Sequence, residues 1–321
     1  MINKLKGALD PYIVALLGTV LLASLLPAQG GFAAFMGWLA NAGIVLLFFL
    51  HGAKLSREAI LAGAGHWRLH LTVLAATFVL FPLAGLGIAA IPHLPAIVAT
   101  GMLFLTLLPS TVQSSIAFTS IAQGNVAAAV CSASFSNLLG IFITPLLVTL
   151  LMGASGAGMS LDAVEKIVLQ LLVPFVAGHL LRPVIGAFVH RHKAVIGYVD
   201  RGSILLVVYT AFSAAVVGGL WHKMPLSVLA VIAGLCAVLL AAILGLTWFA
   251  GRLAGFSRED AIVLLFCGSK KSLASGVPMA GVLFPAAQVG VVILPLMLFH
   301  QLQLIACAVI ARHYAAQAAL D

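Results

Sequence analysis

The 321-residue chain is 63% hydrophobic and only 7% charged, whereas a soluble domain is about a quarter charged, so a soluble globular fold is excluded. Its formal charge of +8 does not point to a nucleic-acid partner, because the Lys and Arg residues sit in short connections between apolar runs, where they set membrane topology. A lipid bilayer is the expected surrounding, and nothing in the chain calls for an obligate protein partner.

Met1 to Asp10 is polar, and Tyr12 to Pro27 continues into an apolar run without a small-residue cleavage motif. A secretory leader is therefore not expected, and this run is taken as the first membrane helix. A crossing helix needs about 20 mostly apolar residues. Runs of that kind bounded by Gly, Pro or charge fall near 12–27, 33–52, 70–91, 96–122, 125–152, 167–185, 202–220, 227–250, 260–284 and 287–311. The expected fold is an all-α membrane protein of ten transmembrane helices, a single transporter domain over 1–321.

With both termini in the cytoplasm, the inner segments carry Lys4, Lys6, Lys54, Arg57, Arg68, Arg182, Arg191, Lys193, Arg201, Arg252, Arg258 and Arg312, against Lys166 and Lys223 outside. This is the positive-inside pattern of a bacterial-type inner membrane. The flexible connection Gly153-Ala-Ser-Gly-Ala-Gly158 divides the chain near its middle. Two halves of five spans, about 1–152 and 160–321, must enter the membrane in opposite senses, which makes them inverted repeats.

Spans 4 and 9, equivalent in such repeats, are the interrupted ones. Span 4 breaks at Pro109-Ser-Thr-Val-Gln-Ser-Ser115 and span 9 at Gly268-Ser-Lys-Lys-Ser272, because Pro lacks a backbone donor and Gly weakens a helix. A simple kink is the plain alternative. Unwound backbone at membrane depth is tolerated where protein or a water-filled cavity satisfies it, and a kink has no need of hydroxyls and an amide beside it. Ser110, Thr111, Gln113, Ser114, Ser115 and Ser272 are accordingly candidate ligand residues. Half-helix N-termini following each break suit a carboxylate, sulfate or phosphate.

Lys270 and Lys271 lie between apolar flanks, at a cost of roughly 2.5 to 3.5 kcal/mol each at a helix centre. No Asp or Glu lies deep in any span to balance them. An anionic ligand is one way to supply the missing charge; a shorter span 9, leaving the lysines at an interface, is the other. Most of the hydroxyls over spans 4 and 5 pack and bond backbone, but Ser132 and Asn137 remain candidates. His179 reads as a structural histidine, whereas His300 and Gln301 sit mid-span as further candidates. Cys131, Cys236, Cys267 and Cys307 are isolated in apolar runs and suggest no metal or disulfide.

Phe49-Leu-His-Gly-Ala-Lys-Leu55, Leu108-Pro-Ser-Thr-Val-Gln-Ser-Ser115, Gln123-Gly-Asn-Val126, Ile143-Thr-Pro145 and the Gly268 to Ser272 break occur in an order that resembles the bile acid:sodium symporter family, particularly its divergent symporter-like branch. The resemblance covers nearly the whole chain. It implies a core of helices 3–5 and 8–10, a panel of helices 1, 2, 6 and 7, and a crossing of broken helices 4 and 9 where organic anions and sodium bind.

The family's residues carry over unevenly. Ser114 and Ser115 fall on a sodium-ligating Ser-Asn pair, and Ser132 lies near the hydroxyl ligands of span 5, so sodium at Ser114, Ser115 and Ser132 is implied as a candidate ion. Phe266 stands where a sodium-binding Glu is usual, Lys270 where a Gln is usual, Lys271 where an Asn near the substrate is usual, and Thr77 where another Gln is usual.

The expected function is secondary active transport of a small organic anion. Lys270 substituting for the ion would make it sodium-independent, and either proton-coupled or facilitative. No cofactor other than a sodium ion is suggested, and no GxxxxGK[ST] motif appears, so ATP does not drive it directly. A channel and a Ser–Lys intramembrane hydrolase are the competing classes.

Overall fold

The computed structural model describes residues 11–54, 64–152, 165, 168–223 and 225–318. The Gly153–Gly158 connection and the basic residues Lys4, Lys6, Arg57 and Lys166 lie outside them. The described chain is all-helical. In order it forms α1 (Pro11–Leu25), α2 (Gly30–Lys54), α3 (Trp67–Ala89), α4 (Ala96–Leu107), α5 (Gln113–Ile121), α6 (Val126–Met152), α7 (Val168–Arg191), α8 (Lys193–Val217), α9 (Leu226–Leu253), α10 (Arg258–Gly268), α11 (Leu273–Leu283) and α12 (Ala286–Ala318).

Seven of these, α2, α3, α6, α7, α8, α9 and α12, are long and apolar enough to cross a membrane. Helices are the expected solution there, since each backbone group must be satisfied within the segment. Their outer faces stay apolar: Val184 is 79% exposed and Leu226 81%, which suits contact with lipid and not with water. The chain is an integral membrane protein.

The residues cluster into two compact units. The first comprises Met1–Leu55, Ser160–Pro225 and Val277–Val291; the second comprises Ser56–Met159, Leu226–Gly276 and Val292–Asp321. Within the first, α2 and α7 pack with their backbones almost touching. A Cβ on Gly52 would lie 2.0 Å from the Phe175 carbonyl oxygen, and one on Gly178 would lie 1.9 Å from that of Phe49. Small residues permit this approach, as is usual between membrane helices. Lys54, at the end of α2, is ion-paired with Asp200 of α8.

In the second unit, Leu69 and Val73 of α3 pack on Ala128, Ala129 and Ala133 of α6 and on Val263, Leu264 and Cys267 of α10. The link from α5 to α6 explains the Gln123-Gly-Asn pattern. Gln123 takes a left-handed conformation (φ 58°), Gly124 leaves no room for a Cβ against Ile262, and Asn125 accepts from the Ala128 N–H as it donates to Asp260. Ser257 caps α10 in the same way, accepting from the Asp260 N–H, with Glu259 and Asp260 favourably placed in the first turn.

Both interruptions are present. α4 stops at Leu107 and α5 starts at Gln113, so the break spans 108–112 and is shorter than the sequence suggests. Pro109 cannot donate to the carbonyl four residues back, and Leu108 before it is extended (φ −78°, ψ 156°), as residues preceding proline are. Gln113, Ser114 and Ser115 consequently form the first turn of α5. The second break spans 269–272 between α10 and α11, while Gly276 and Pro278 lie inside α11.

Candidate functional site

The two breaks are joined directly. Ser272 N–H donates to the Pro109 carbonyl at 2.8 Å, and Ser110 Oγ–H donates to the Cys267 carbonyl at 2.5 Å. Ser115 Oγ–H donates to the Phe266 carbonyl at 3.0 Å. Orphan groups that α10 exposes as it ends are thus taken up by hydroxyls of the other broken helix.

Around this junction lies a polar network from α6. Ser136 Oγ accepts from Ser110 N–H at 2.9 Å. Asn137 donates to the Ser110 carbonyl at 2.7 Å and accepts from Ser275 Oγ–H at 2.9 Å, and Ser275 is paired in turn with Ser272. Ser110, Ser272 and Asn137 therefore hold the breaks together. Ser132 stands apart from them, hydrogen-bonded to His70 Nδ1 at 2.7 Å. Gln113 is exposed.

The two lysines are both 0% exposed, yet their surroundings differ. Lys271 Nζ donates to three backbone carbonyls: Thr77 at 2.8 Å, Thr106 at 2.8 Å and Leu108 at 2.6 Å. That uses all three of its donors. Among the described residues, Lys270 Nζ has one long hydrogen-bond contact, 3.5 Å to Ser114 Oγ, and lies over the Phe118 ring at 4.4 Å and the Phe266 ring at 5.6 Å. Cation–π contact offsets part of its desolvation, but the ammonium keeps hydrogen-bonding capacity in reserve. Ser114 in turn donates to Thr111, which is paired with Ser115 at 3.1 Å. In the same helix, Thr119 Oγ1 is buried with no hydrogen-bond partner among the described residues.

Gln303 of α12, which the sequence sets beside His300 and Gln301 without a distinct role, holds the second break. Its Oε1 accepts from Lys271 N–H at 2.9 Å, and its Nε2 donates to the Lys271 carbonyl at 3.0 Å and to His300 Nδ1 at 2.8 Å. The available signal was the i, i+3 spacing of His300 and Gln303, which puts them on one helix face. Gln301 points elsewhere, its Nε2 buried without a partner among the described residues.

Gln303→Leu is expected to destabilise the protein by about 2–5 kcal/mol, since two buried backbone groups each lose their partner. Gln301→Leu is expected to be near neutral or stabilising, because it removes an unsatisfied group. Thermal unfolding of the two variants side by side checks this contrast.

A sodium ion at Ser114, Ser115 and Ser132 finds a poor set of ligands. The hydroxyls carry no charge and already bond to one another, to Phe266 and to His70. The Lys270 ammonium sits against Ser114, and two unit charges 4 Å apart repel by about 4 kcal/mol at an effective dielectric of 20. No grouping of three or more His, Cys, Asp or Glu suited to a metal occurs among the described residues.

Residues 10–316 match the SBF-like CPA transporter family. The chain is 61% identical over 309 residues to an uncharacterised protein of Pseudomonas aeruginosa, covering 95% of this chain and 93% of that one. It is 56% identical over 316 residues to the candidate symporter YfeH of Escherichia coli, covering 98% and 95%. Sodium/bile acid cotransporter 7 of Mus musculus is 27% identical over 267 residues, covering 82% and 78%. These are transport proteins by name where a role is named at all, which argues against the hydrolase reading of the Ser–Lys pair. The protein is therefore a transporter belonging to the SBF-like CPA transporter family, the symporter-like branch of the bile acid:sodium symporters that its ordered motifs resemble.

Proposed function

We propose that the protein is a secondary active transporter of a small organic anion across the cytoplasmic membrane, with Lys270 as the anion's principal contact. The observation that carries this reading is the contrast between the two buried lysines: one is saturated by carbonyls, and the other has, among the described residues, a single hydrogen-bond contact at 3.5 Å. A buried ammonium with donors to spare beside Ser114 is the group an anionic oxygen would complete.

In this reading the seven long helices, α1 and the two broken pairs make ten crossings arranged as two inverted five-helix repeats, with both termini cytoplasmic. Helices 1, 2, 6 and 7 form a panel and helices 3–5 and 8–10 a core; the panel spans fall in the first compact unit and most of the core in the second, with Val277–Val291 of spans 9 and 10 grouped in the first. Rocking of one against the other exposes the crossing to each side in turn. His300 acts through Gln303 on the span 9 break.

Coupling to sodium is not favoured by these residues, because Lys270 places a positive charge beside the hydroxyls that an ion would need. The gradient that drives transport is then that of protons or of the anion itself.

The test is a thermal-shift screen of purified protein against small carboxylates, sulfonates and phosphate esters, in sodium and in sodium-free buffer. Saturable stabilisation by one anion class, unchanged without sodium, is the expected result. Stabilisation by neutral or cationic solutes in place of anions would overturn it.

A further inference from the structure

The three carbonyl oxygens around Lys271 are available for separate reasons, each traceable to a residue. α3 contains a π turn over Ala76–Leu80, where the Phe81 N–H donates to the Ala76 carbonyl five residues back. The next bond in that register would serve Thr77, but its donor belongs to Pro82, which has no N–H. In α4 the carbonyl of Thr106 loses its donor four residues on, because Ser110 N–H turns to Ser136. Leu108 is extended, outside any helix. The neighbouring carbonyl, Leu107, is taken up by the Thr144 hydroxyl at 2.7 Å, which leaves Thr77, Thr106 and Leu108 converging on one point.

Two of these oxygens, those of Thr106 and Leu108, belong to the partially negative end of α4. The Phe81 ring faces the same point, 4.1 Å from the ammonium, and Phe78 lies at 6.0 Å. Neutral oxygens and an aromatic face with no carboxylate select a monovalent cation over a divalent one, which calls for anionic ligands. Carbonyl rings replace the hydration shell of potassium in this manner. Ammonium and potassium have closely similar radii, and sodium is smaller.

We propose that the oxygens of Thr77, Thr106 and Leu108 form a monovalent-cation site that the native chain fills with its own side chain, the Lys271 ammonium serving as a tethered cation. The site ties α3 and α4 to the span 9 break without any ion from solution. It is distinct from the surroundings of Lys270, whose ammonium touches Ser114 and Phe118, and it stands whether or not Lys270 binds an anion.

Lys271→Ala empties the cage while leaving its oxygens in place. At constant ionic strength, thermal unfolding of Lys271→Ala is expected to rise with ammonium or potassium concentration to a plateau, by on the order of 5 °C, with sodium less effective and N-methylglucamine ineffective. The native protein is expected to show no such selectivity. Lys271→Ser, which adds a hydroxyl oxygen at the mouth of the cage, should behave alike. Equal responses of the variants to all four cations would overturn the proposal, as would the same selectivity in the native protein. Failure of both variants to fold in ammonium or potassium salt would also count against it, since a free cation is predicted to restore the fold.

Discussion

Lys270→Met is expected to weaken anion binding by about 10- to 100-fold and to leave the protein at least as stable to heat as the native form. The first part follows from the value of a hydrogen bond to a charged group, about 1.5–3 kcal/mol, at 1.4 kcal/mol per factor of ten. The second follows from burial. The ammonium is 0% exposed and holds one contact at 3.5 Å, so its desolvation is poorly compensated, and a thioether of similar length fits between Phe118 and Phe266 at no such cost. A structural lysine would behave in the opposite way, since removing it would lower stability. Binding isotherms for the stabilising anion, paired with unfolding curves in its absence, separate the two roles. Loss of stability without loss of affinity would remove Lys270 from the site.

The all-helical membrane class and both interruptions were legible in the sequence, because their causes are residue types. Apolar runs of crossing length, Pro109, and Gly268 followed by two lysines announce themselves without any tertiary information. The extent of the first break was less legible. Proline fixes where α4 stops, but helix resumption at Gln113 depends on contacts such as that of Ser115 with the Phe266 carbonyl, which lies 151 positions away in the chain.

The different surroundings of Lys270 and Lys271 were not legible in the residue types, although the family resemblance set the first in the place of an ion ligand and the second near the substrate. Adjacent identical residues in an unwound segment point in different directions, and the groups that receive Lys271 are backbone carbonyls, which every residue possesses. Only Pro82, five positions after Thr77, hinted that one of them would be free. Gln303 was hidden for a related reason, since its partners are the N–H and carbonyl of Lys271 and no pattern of side chains records a bond to backbone. Ser132 illustrates the converse. Its position suggested an ion ligand, but its hydroxyl is engaged by His70, a residue at the start of span 3 that carried no motif.

The second large effect concerns what drives transport. A sodium symporter loses nearly all accumulation when sodium is withdrawn, whereas a carrier whose positive charge is part of the chain does not. A second cation held 4 Å from the Lys270 ammonium would be repelled by about 4 kcal/mol, a weakening of close to a thousandfold, and the proposed transport cycle accordingly runs without sodium. The most direct measurement is uptake of the stabilising anion into proteoliposomes with sodium on both sides replaced by N-methylglucamine, with and without an imposed proton gradient. Uptake within about twofold of its value in sodium, and lost in Lys270→Met, is expected; uptake that vanishes with sodium and returns in proportion to its gradient would mean that sodium drives the cycle and that Lys270 does not replace it.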